Sequence, residues 1–428
     1  MADKLLSILA GEVKPALGCT GPTSVSYAVS VARDAAGGTP GKVEVLMDKD
    51  TYKNSIAVGI PGTSLKGLEI AAALGAVCGD PRAGLEVLKD AREQDELRAK
   101  ELLKDTVVGI KWDLESVGLY IEARVSTDLG YARAVVVKTH TNTVLVEVNG
   151  QKVFEKEMPA GKFDYSSDEI RQYGLRDFFE FASQEPLENL FFLKEAIRMN
   201  VTLADAGMEE NVGAGFGLAY SRIADGNMVN RAKALTAAAS DARMAGLGLP
   251  AMSCATSGNV GITASLPLTV VAETLDSSEE QLIRSLALSF LLTIYMKSHI
   301  GRLSALCACA VAASVGIAAG SVMLLGGDIE QAEMAINSVI GSIGGVICDG
   351  AKLGCALKLS NAAGIAIESA QLAMKGISIP SYDGIVCSSA DETMEMIGKI
   401  AREGMEITDR TMCELIIERE KGREGHED

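Results

Sequence analysis

The sequence predicts an α+β protein, in which a small α/β domain with a twisted sheet accompanies a larger all-helical domain. Strand patterns concentrate in the first third of the chain, and long segments rich in Ala, Leu and Ile follow from about residue 168. Hydrophobic residues make up 48% of the chain but aromatic residues only 4%, which favours closely packed helices with small aliphatic side chains. We therefore assign residues 37–167 to the α/β domain, and residues 1–36 together with 168–428 to the helical domain.

The elements of the α/β domain follow from short apolar runs and turn signals. Residues 1–36 are expected to be helical around a break at 18–22, and the Gly-rich stretch 37–41 ends that segment. The clearest pattern is a β-hairpin, because alternating apolar residues at 143–148 and 151–157 flank the turn-forming pair Asn149-Gly150. Other apolar runs typical of strands lie at 42–48, 54–60, 117–125 and 133–139, and helices are expected near 65–77 and 82–103.

The helical domain is predicted from apolar residues at helical spacing between glycines. The expected helices cover 186–204, 230–245, 278–298, 302–319, 329–343, 354–374 and 390–402. Residues 303–327 carry no charge and are long enough to span a bilayer. Much of this run is Ala, Gly, Ser and Cys, which are poor lipid-facing residues, so we interpret it as a buried core helix.

Charge and cysteine content narrow the class of partner. The net charge of −17 and the pI near 4.8 argue against nucleic acid or an anionic membrane and favour a small-molecule substrate. The first residues carry no long apolar run, so a secretory signal is not expected. Nine cysteines without an export signal favour reduced thiols in the cytoplasm. The sequence is compatible with a homo-oligomer.

Cys19 is the first candidate functional thiol. It precedes Thr20, which can cap a helix, and Pro22, which suits a first helical turn. A thiolate just outside a helix N-terminus is stabilised by backbone N–H groups and by the helix dipole. Cys19 could therefore act as a base, a nucleophile or a metal ligand, and the alternative is a buried structural thiol.

The downstream cysteines form the second candidate group. On one straight helix, Cys348 and Cys355 would lie about 10 Å apart, but the glycines around them favour a loop that folds back. Cys307 and Cys309 would point about 200° apart on a helix, so at most one should reach a shared site, and we favour Cys309. Thiolates without histidine suit iron–sulfur clusters or zinc. The alternative is a set of packing thiols, as we interpret Cys78, Cys254, Cys387 and Cys413.

Two further features are candidates for binding substrate. The loop Ser257-Gly258-Asn259 offers backbone N–H groups and small polar side chains to a carboxylate, although it could be a plain interhelical turn. His299 is the only histidine near the downstream cysteines in the sequence, and a lone histidine is more often structural.

Four segments, taken together, resemble the L-cysteine desulfidase family, whose members are related to the iron–sulfur L-serine dehydratase alpha chain. They span nearly the whole chain in the family's order, and the ICDGAK and GRLSxLCxC blocks are the most specific. The segments are residues 12–20 (EVKPALGCT), 240–244 (SDARM) with Ser257-Gly258-Asn259, 299–307 (HIGRLSALC), and 347–352 (ICDGAK) with 355–358 (CALK).

The resemblance implies a [4Fe–4S] cluster held by three cysteines, with the fourth iron open to substrate, and no pyridoxal phosphate. By position, Cys348 and Cys355 would be two ligands and Cys309 the third, with Cys307 as the alternative third ligand. The helical domain would then be the cluster-binding domain, and Cys19 would be the thiolate near the substrate.

The reaction implied is α,β-elimination of L-cysteine to sulfide, ammonia and pyruvate. The alternatives are dehydration of L-serine or another β-substituted amino acid, and a non-catalytic role in binding a cluster or sulfide. The family usually reads Cys-Thr-Glu-Pro at 19–22, and Gly21 here predicts slower, altered or absent turnover. The catalytic candidates are Cys19 as the base, with His299 and Lys352 orienting substrate or neutralising charge, and the substrate-binding candidates are Thr20, Ser257, Gly258 and Asn259.

Overall fold

The computed structural model describes residues 1–18, 20–60, 63, 65–111, 119–157, 166–223, 226–301 and 304–424. Within them, a six-stranded sheet accompanies a larger helical region, so the α+β class predicted from the sequence is confirmed.

The sheet contains strands β2 (Pro40–Met47), β3 (Thr106–Ile110), β4 (Tyr120–Thr127), β5 (Gly130–Val137), β6 (Thr143–Val148) and β7 (Gln151–Glu155). Their spatial order is β3-β2-β4-β5-β6-β7, with β2 and β3 parallel and the other neighbours antiparallel. The predicted hairpin is confirmed, because Asn149 and Gly150 join β6 to β7 with φ of 50° and 82°, as a type I′ turn requires.

One face of this sheet is covered by helices α2 (Thr20–Ala36) and α4 (Leu68–Cys78), which pack on each other and on the strands. The buried side of α2 includes Val25 and Val29, which are fully buried against β-strand side chains such as Val43 and Ile121. Although we grouped residues 1–36 with the helical domain, α2 therefore contributes to the core beneath the sheet. Helices α3 (Lys49–Lys53) and α5 (Glu93–Leu102) lie between β2 and β3 along the chain.

The helical region begins with α1 (Ala2–Glu12) and continues after the sheet. Its helices are α6 (Leu175–Gln184), α7 (Leu187–Leu190), α8 (Lys194–Gly207), α9 (Phe216–Ile223), α10 (Met228–Met244), α11 (Gly258–Thr274), α12 (Glu279–Ile300), α13 (Ala308–Leu324), α14 (Ile329–Ile343), α15 (Cys355–Ala373), α16 (Ala390–Lys399) and α17 (Glu406–Glu424).

Small residues let the central helices approach closely. A Cβ on Gly316 of α13 would lie 2.3 Å from the carbonyl oxygen of Ser289 on α12, and one on Gly207 would lie 1.8 Å from that of Ala238. Neither site has room for a side chain. The low aromatic content is thus matched by a core in which helix backbones nearly touch.

A second, two-stranded sheet lies inside the helical region. Strand β1 (Val13–Leu17) pairs antiparallel with β8 (Pro250–Cys254). The prediction of helix across residues 13–17 was wrong, because Pro15 lacks an N–H and biases Lys14 toward extended backbone. The pairing places Val13 opposite Cys254, so the loop that precedes α11 lies beside the end of α1, where Ala255 N donates to Glu12 O. At the other end of β1, Gly18 O accepts a hydrogen bond from Arg243.

The apolar segment at 303–327 forms part of the core. Helix α13 begins at Ala308, six residues later than predicted, and is buried over most of its length. None of the helices in the described part of the chain is long and apolar enough to cross a membrane.

The C-terminal helix α17 is joined to α3 by a buried ionic cluster. The Asp409 carboxylate accepts hydrogen bonds from Lys49 and Lys53, and Lys53 also lies 3.3 Å from Asp50. Lys53 and Asp409 are nearly inaccessible to solvent. Burial by itself raises the pKa of Asp409, but the two lysines outweigh it and hold this pKa below its usual value.

We expect Asp409→Ala to lower the free energy of unfolding by about 3–5 kcal/mol, because Lys49 and Lys53 would be left with Asp50 as their one shared counter-charge. Urea unfolding followed by circular dichroism measures this. The matched control is Glu414→Gln, which removes an exposed partner of Arg410 on the same helix and should cost less than about 1 kcal/mol. Equal unfolding midpoints for the two variants would contradict the prediction.

His299 is packed into the helical core near the end of α12. Its ring meets that of Tyr295 edge-on, with centroids 4.6 Å apart, and its Nε2 has no hydrogen-bond partner among the described residues. Burial, with a smaller contribution from Arg171 and Arg402, lowers the pKa of His299 to about 4. The imidazole is therefore neutral at physiological pH.

His299 should make the protein sensitive to acid. Its pKa of about 4 in the folded state lies below the value of about 6.5 expected when unfolded. The unfolded chain therefore binds an extra proton between these pH values, and stability falls as the pH is lowered through them. We expect wild type to lose about 2 kcal/mol more than His299→Leu between pH 7.5 and pH 5 in urea unfolding. Parallel pH profiles would exclude this role.

Candidate functional site

Four helices begin at one small cavity. Its lining includes Thr20 and Gly21 in the first turn of α2, Asn259 in that of α11, Cys309 in that of α13, and Cys355 at the start of α15. Each helix N-terminus presents backbone N–H groups and a partial positive charge. The cavity volume is about 120 Å³, which restricts an occupant to a small molecule or a compact inorganic group. Such a site favours anions and thiolates.

Four cysteine side chains line this cavity: Cys307, Cys309, Cys348 and Cys355. The Cys307 thiol interacts with those of Cys309 and Cys348, and the Cys355 thiol donates to the carbonyl of Gly350 at 3.6 Å. All four are free thiols. Cys307 and Cys309 both reach the cavity because Cys307 is the N-cap of α13 with extended backbone, so the 200° separation expected on a continuous helix does not apply.

A backbone bridge holds the two cysteine segments together. Leu306 and Ile347 form an isolated β-bridge, flanked by bonds from Cys307 N to Val346 O at 2.8 Å and from Cys348 N to Ala305 O at 2.7 Å. Gly350 follows with φ of +93°, and a Cβ there would lie 2.1 Å from the carbonyl of Lys53. Glycine is therefore required where this loop turns.

The surroundings of Cys307, Cys348 and Cys355 favour the protonated form of these three thiols. Hydrogen bonding to Cys309, together with burial and the neighbouring thiols, raises the pKa of Cys307 to about 12. Hydrogen bonding to Cys307 and burial both raise the pKa of Cys348. Burial raises the pKa of Cys355. Crowded thiols can ionise together only if a metal cation compensates them.

The donor set fits a thiolate-ligated metal group by its chemistry. The four soft sulfur donors favour iron–sulfur clusters or zinc, and the imidazole of His140 lines the same cavity. Among the residues that the structure describes, no group of three or more Cys, His, Asp and Glu side chains is arranged to hold a metal ion. The four thiols therefore share one cavity without a preformed coordination geometry among the described residues.

Lysines surround the cysteine loop. Lys358 lines the cavity, donates to Ile347 O at 2.9 Å and pairs with Asp349. Lys352, which we predicted as catalytic, also pairs with Asp349 but is not part of the cavity lining. Lys53 lies beneath Gly350, and its charge opposes the rise in the pKa of Cys348. These ammonium groups add to the positive field of the helix N-termini.

The loop before α11 has an unusual backbone. Ala255 and Thr256 have φ of 46° and 68°, a conformation that residues with a side chain rarely adopt, and Lys297 donates to the carbonyl of Ala255 at 2.6 Å. Ser257 then caps α11 by accepting a hydrogen bond from Val260 N. Thr256, Ser257 and Lys297 all line the cavity, so the strained turn presents polar groups to it.

Arg243 is buried beside this loop. Its guanidinium donates to Asn259 Oδ1 at 3.1 Å and to Gly18 O at 2.8 Å, while Nε–H has no acceptor among the described residues. A Cβ on Gly258 would lie 2.3 Å from Arg243 Nε, so only glycine fits there. Arg243 lies in a segment used above for the resemblance, but nothing in the local sequence marked it as part of a site.

Gly21 packs against Ser55. A Cβ on Gly21 would lie 2.0 Å from Ser55 Oγ, which donates to Thr51 O at 2.6 Å. The space where a longer side chain would leave the backbone is thus filled by a serine. A glutamate at position 21 would require Ser55 to move.

The structure brings together most of the predicted site residues. Gly258 packs against Arg243, which lines the cavity. His299 packs against Tyr295 and is not among the described residues that line the cavity. Cys19 lies outside the described residues, although its neighbours Gly18 and Thr20 flank the site. The predicted residues in the lining are Thr20, Ser257, Asn259, Cys307, Cys309, Cys348 and Cys355.

Sequence reasoning missed several lining residues that come from distant segments. His140, in the connection between β5 and β6, is the histidine at the cavity, although His299 is closer to the cysteines in sequence. The others include Thr51, Asn54, Arg243, Lys297 and Lys358. Most lack a local motif, and only their tertiary positions reveal them.

Comparison with known proteins identifies the family and several relatives of this chain. The model of the serine dehydratase alpha chain family matches residues 82–414. A UPF0597 protein of Clostridium tetani is 41% identical over 416 residues, which cover 97% of this chain and 98% of the relative. A UPF0597 protein of Caldanaerobacter subterraneus is 41% identical over 419 residues, with 97% and 98% coverage. A UPF0597 protein of Clostridium botulinum is 39% identical over 424 residues, with 97% and 99% coverage.

Because the family model covers most of the chain and these relatives align along nearly their whole length, the protein belongs to the serine dehydratase alpha chain family.

Proposed function

We propose that this protein is an iron–sulfur-dependent lyase that eliminates sulfide from L-cysteine, giving ammonia and pyruvate. The observation that carries the proposal is the meeting of four cysteines and four helix N-termini at one small cavity. Membership of the serine dehydratase alpha chain family supports a lyase of the dehydratase type. The free thiols of the described cysteines support a reducing compartment such as the cytoplasm, and the acidic charge supports a small-molecule partner.

The residues that would hold a [4Fe–4S] cluster are Cys348, Cys355 and Cys309, with Cys307 as the alternative third ligand. When bound, the cluster would supply a Lewis acid at its open iron and make sulfide a better leaving group. Lys53 and Lys358, which lie close to this loop, would offset the negative charge of the ligating thiolates. We propose no pyridoxal phosphate.

Cys19 is the proposed base for the Cα proton of the substrate. It directly precedes α2, whose first-turn residues Thr20 and Gly21 line the cavity, and a thiolate at a helix N-terminus is stabilised by the dipole. Removal of the Cα proton and breakage of the Cβ–S bond release sulfide and 2-aminoacrylate. Addition of water to the imine tautomer then gives pyruvate and ammonia, which balances the reaction.

The polar loop before α11 is the proposed substrate-binding segment. Ser257 and Asn259 line the cavity, and the missing side chain of Gly258 leaves room for Arg243 against the helix N-terminus. Thr20 faces the same space from α2. Because Lys352 and His299 are outside the cavity lining, we propose that they act as positioning residues, Lys352 through Asp349 and His299 through the end of α12, which carries Lys297.

Dehydration of L-serine is the second candidate. The family that this chain matches is that of the serine dehydratase alpha chain, which favours dehydration. Elimination of water from L-serine would use the same cavity and the same base. The substrate differs only in the atom that leaves Cβ, so a comparison of the two amino acids separates the candidates.

We expect the anaerobically purified protein to show a broad visible iron–sulfur band that changes when L-cysteine is added. Sulfide and pyruvate should form in equal amounts, and L-serine should give at least tenfold lower kcat/KM. Higher turnover of L-serine would transfer the assignment to dehydration. A protein that stays colourless after reconstitution with iron and sulfide would refute the cluster-dependent proposal.

Substitution of individual cysteines should separate ligands from the base. Cys348→Ser and Cys355→Ser should lose most bound iron, whereas Cys387→Ser, outside the cavity, should retain it. Cys19→Ser should keep the iron content and visible spectrum but lower turnover at least 100-fold, because a hydroxyl is a far weaker base. Iron analysis and sulfide assays measure both effects. Unchanged iron in Cys348→Ser, or full activity in Cys19→Ser, would contradict the respective role.

A further inference from the structure

The guanidinium of Arg243 is a buried cation whose charge is not neutralised by the residues around it. Arg243 is 4% exposed, and its two hydrogen-bond acceptors, Asn259 Oδ1 and Gly18 O, are both neutral. Among the described residues, no carboxylate lies within ion-pair distance, and Nε–H has no acceptor. Burying an uncompensated charge is costly, so the site is expected to receive an anion.

The geometry of the guanidinium favours a carboxylate as this anion. Nη1 donates to Asn259 Oδ1 and Nη2 donates to Gly18 O, which leaves Nε–H and one N–H on each of Nη1 and Nη2 without a partner among the described residues. A guanidinium with several unused N–H groups matches the two oxygens of a carboxylate. The cavity volume of about 120 Å³ leaves room for a small organic acid and excludes larger anionic ligands such as nucleotides.

The neighbouring backbone strengthens the same preference. Helix α11 begins at Gly258, so its positive N-terminus lies beside the guanidinium. Ser257 and Asn259 belong to this turn, and Asn259 fixes the orientation of Arg243 through its side-chain oxygen. The four cysteines line the same cavity as Arg243.

We propose that Arg243 binds the α-carboxylate of the amino-acid substrate and thereby makes the site selective for free amino acids over their amides, esters and decarboxylated amines. This inference rests on the proposed function for the identity of the substrate. The carboxylate preference itself follows from the buried guanidinium and is testable without turnover.

The test compares ligands that differ only in the carboxylate. Anaerobic calorimetry measures binding of 3-mercaptopropionate and of 3-mercaptopropionamide to the holoprotein, and a sulfide assay compares L-cysteine with L-cysteinamide. Wild type should favour each acid over its amide by roughly 10- to 100-fold. Arg243→Gln should abolish this preference, and Arg243→Lys, which keeps the charge but not the planar edge, should retain part of it.

The matched control is Arg231→Gln, which removes an arginine from the same helix where it pairs with Glu273 on the surface. It should bind both probes as wild type does. A purely structural role for Arg243 would lower turnover or stability without changing the ratio of acid to amide, and that outcome would overturn the inference. If Arg243→Gln does not fold, an acid preference in Arg243→Lys equal to that of wild type would overturn it as well.

Failure of the proposed function is distinguishable from failure of this inference. Arg243-dependent binding of 3-mercaptopropionate with no sulfide release would support the carboxylate site and refute the lyase. Sulfide release with an unchanged ratio in Arg243→Gln would support the lyase and refute the carboxylate site. Equal binding of the acid and the amide by wild type would also refute the carboxylate site.

Discussion

The convergence of four helix N-termini on one small cavity is the constraint on which the site depends. Each terminus brings N–H groups without intrahelical partners and positive potential to the cavity, so negative charge placed there is stabilised. Two backbone pairings far apart in sequence hold this arrangement: β1 with β8, and Leu306 with Ile347. The cysteines can supply negative charge at this point as thiolates, whereas the buried lysines and Arg243 add to its positive potential.

The replacement at Gly21 has a structural counterpart. In the family that the sequence resembles, a glutamate usually follows the threonine that corresponds to Thr20. Here that residue is Gly21, and Ser55 Oγ occupies the space that a Cβ at position 21 would need. The loss of a carboxylate next to Arg243 and several lysines makes the cavity more positive than it would otherwise be. A cavity of this kind should hold anionic ligands more tightly, so the replacement changes the charge balance of the site and does not simply leave a hole in it.

Local signals predicted local structure well and the site only in part. Residues 329–343 were predicted as a helix and form Ile329–Ile343, because Asp328 caps the N-terminus and Gly344 follows the last turn. The run 54–60 has strand-like apolar residues but forms turns instead, since Ser55 packs on Gly21 and Gly59 pairs with Lys66. The β1–β8 pairing could not be foreseen, because its partners lie more than 200 residues apart. The same holds for His140 and Arg243, whose roles arise from tertiary contacts.

The cavity is lined by segments from both parts of the molecule. The thiols come from the segments that start α13 and α15, within a rigid core of closely packed helices. Thr51, Asn54 and His140 reach the cavity from α3 and the sheet, which are joined to the C-terminal helix through Lys53 and Asp409. The cysteine loop also packs on α3, because a Cβ on Gly350 would lie 2.1 Å from the carbonyl oxygen of Lys53. The thiols and the polar groups of α3 are therefore held in place by the same contact.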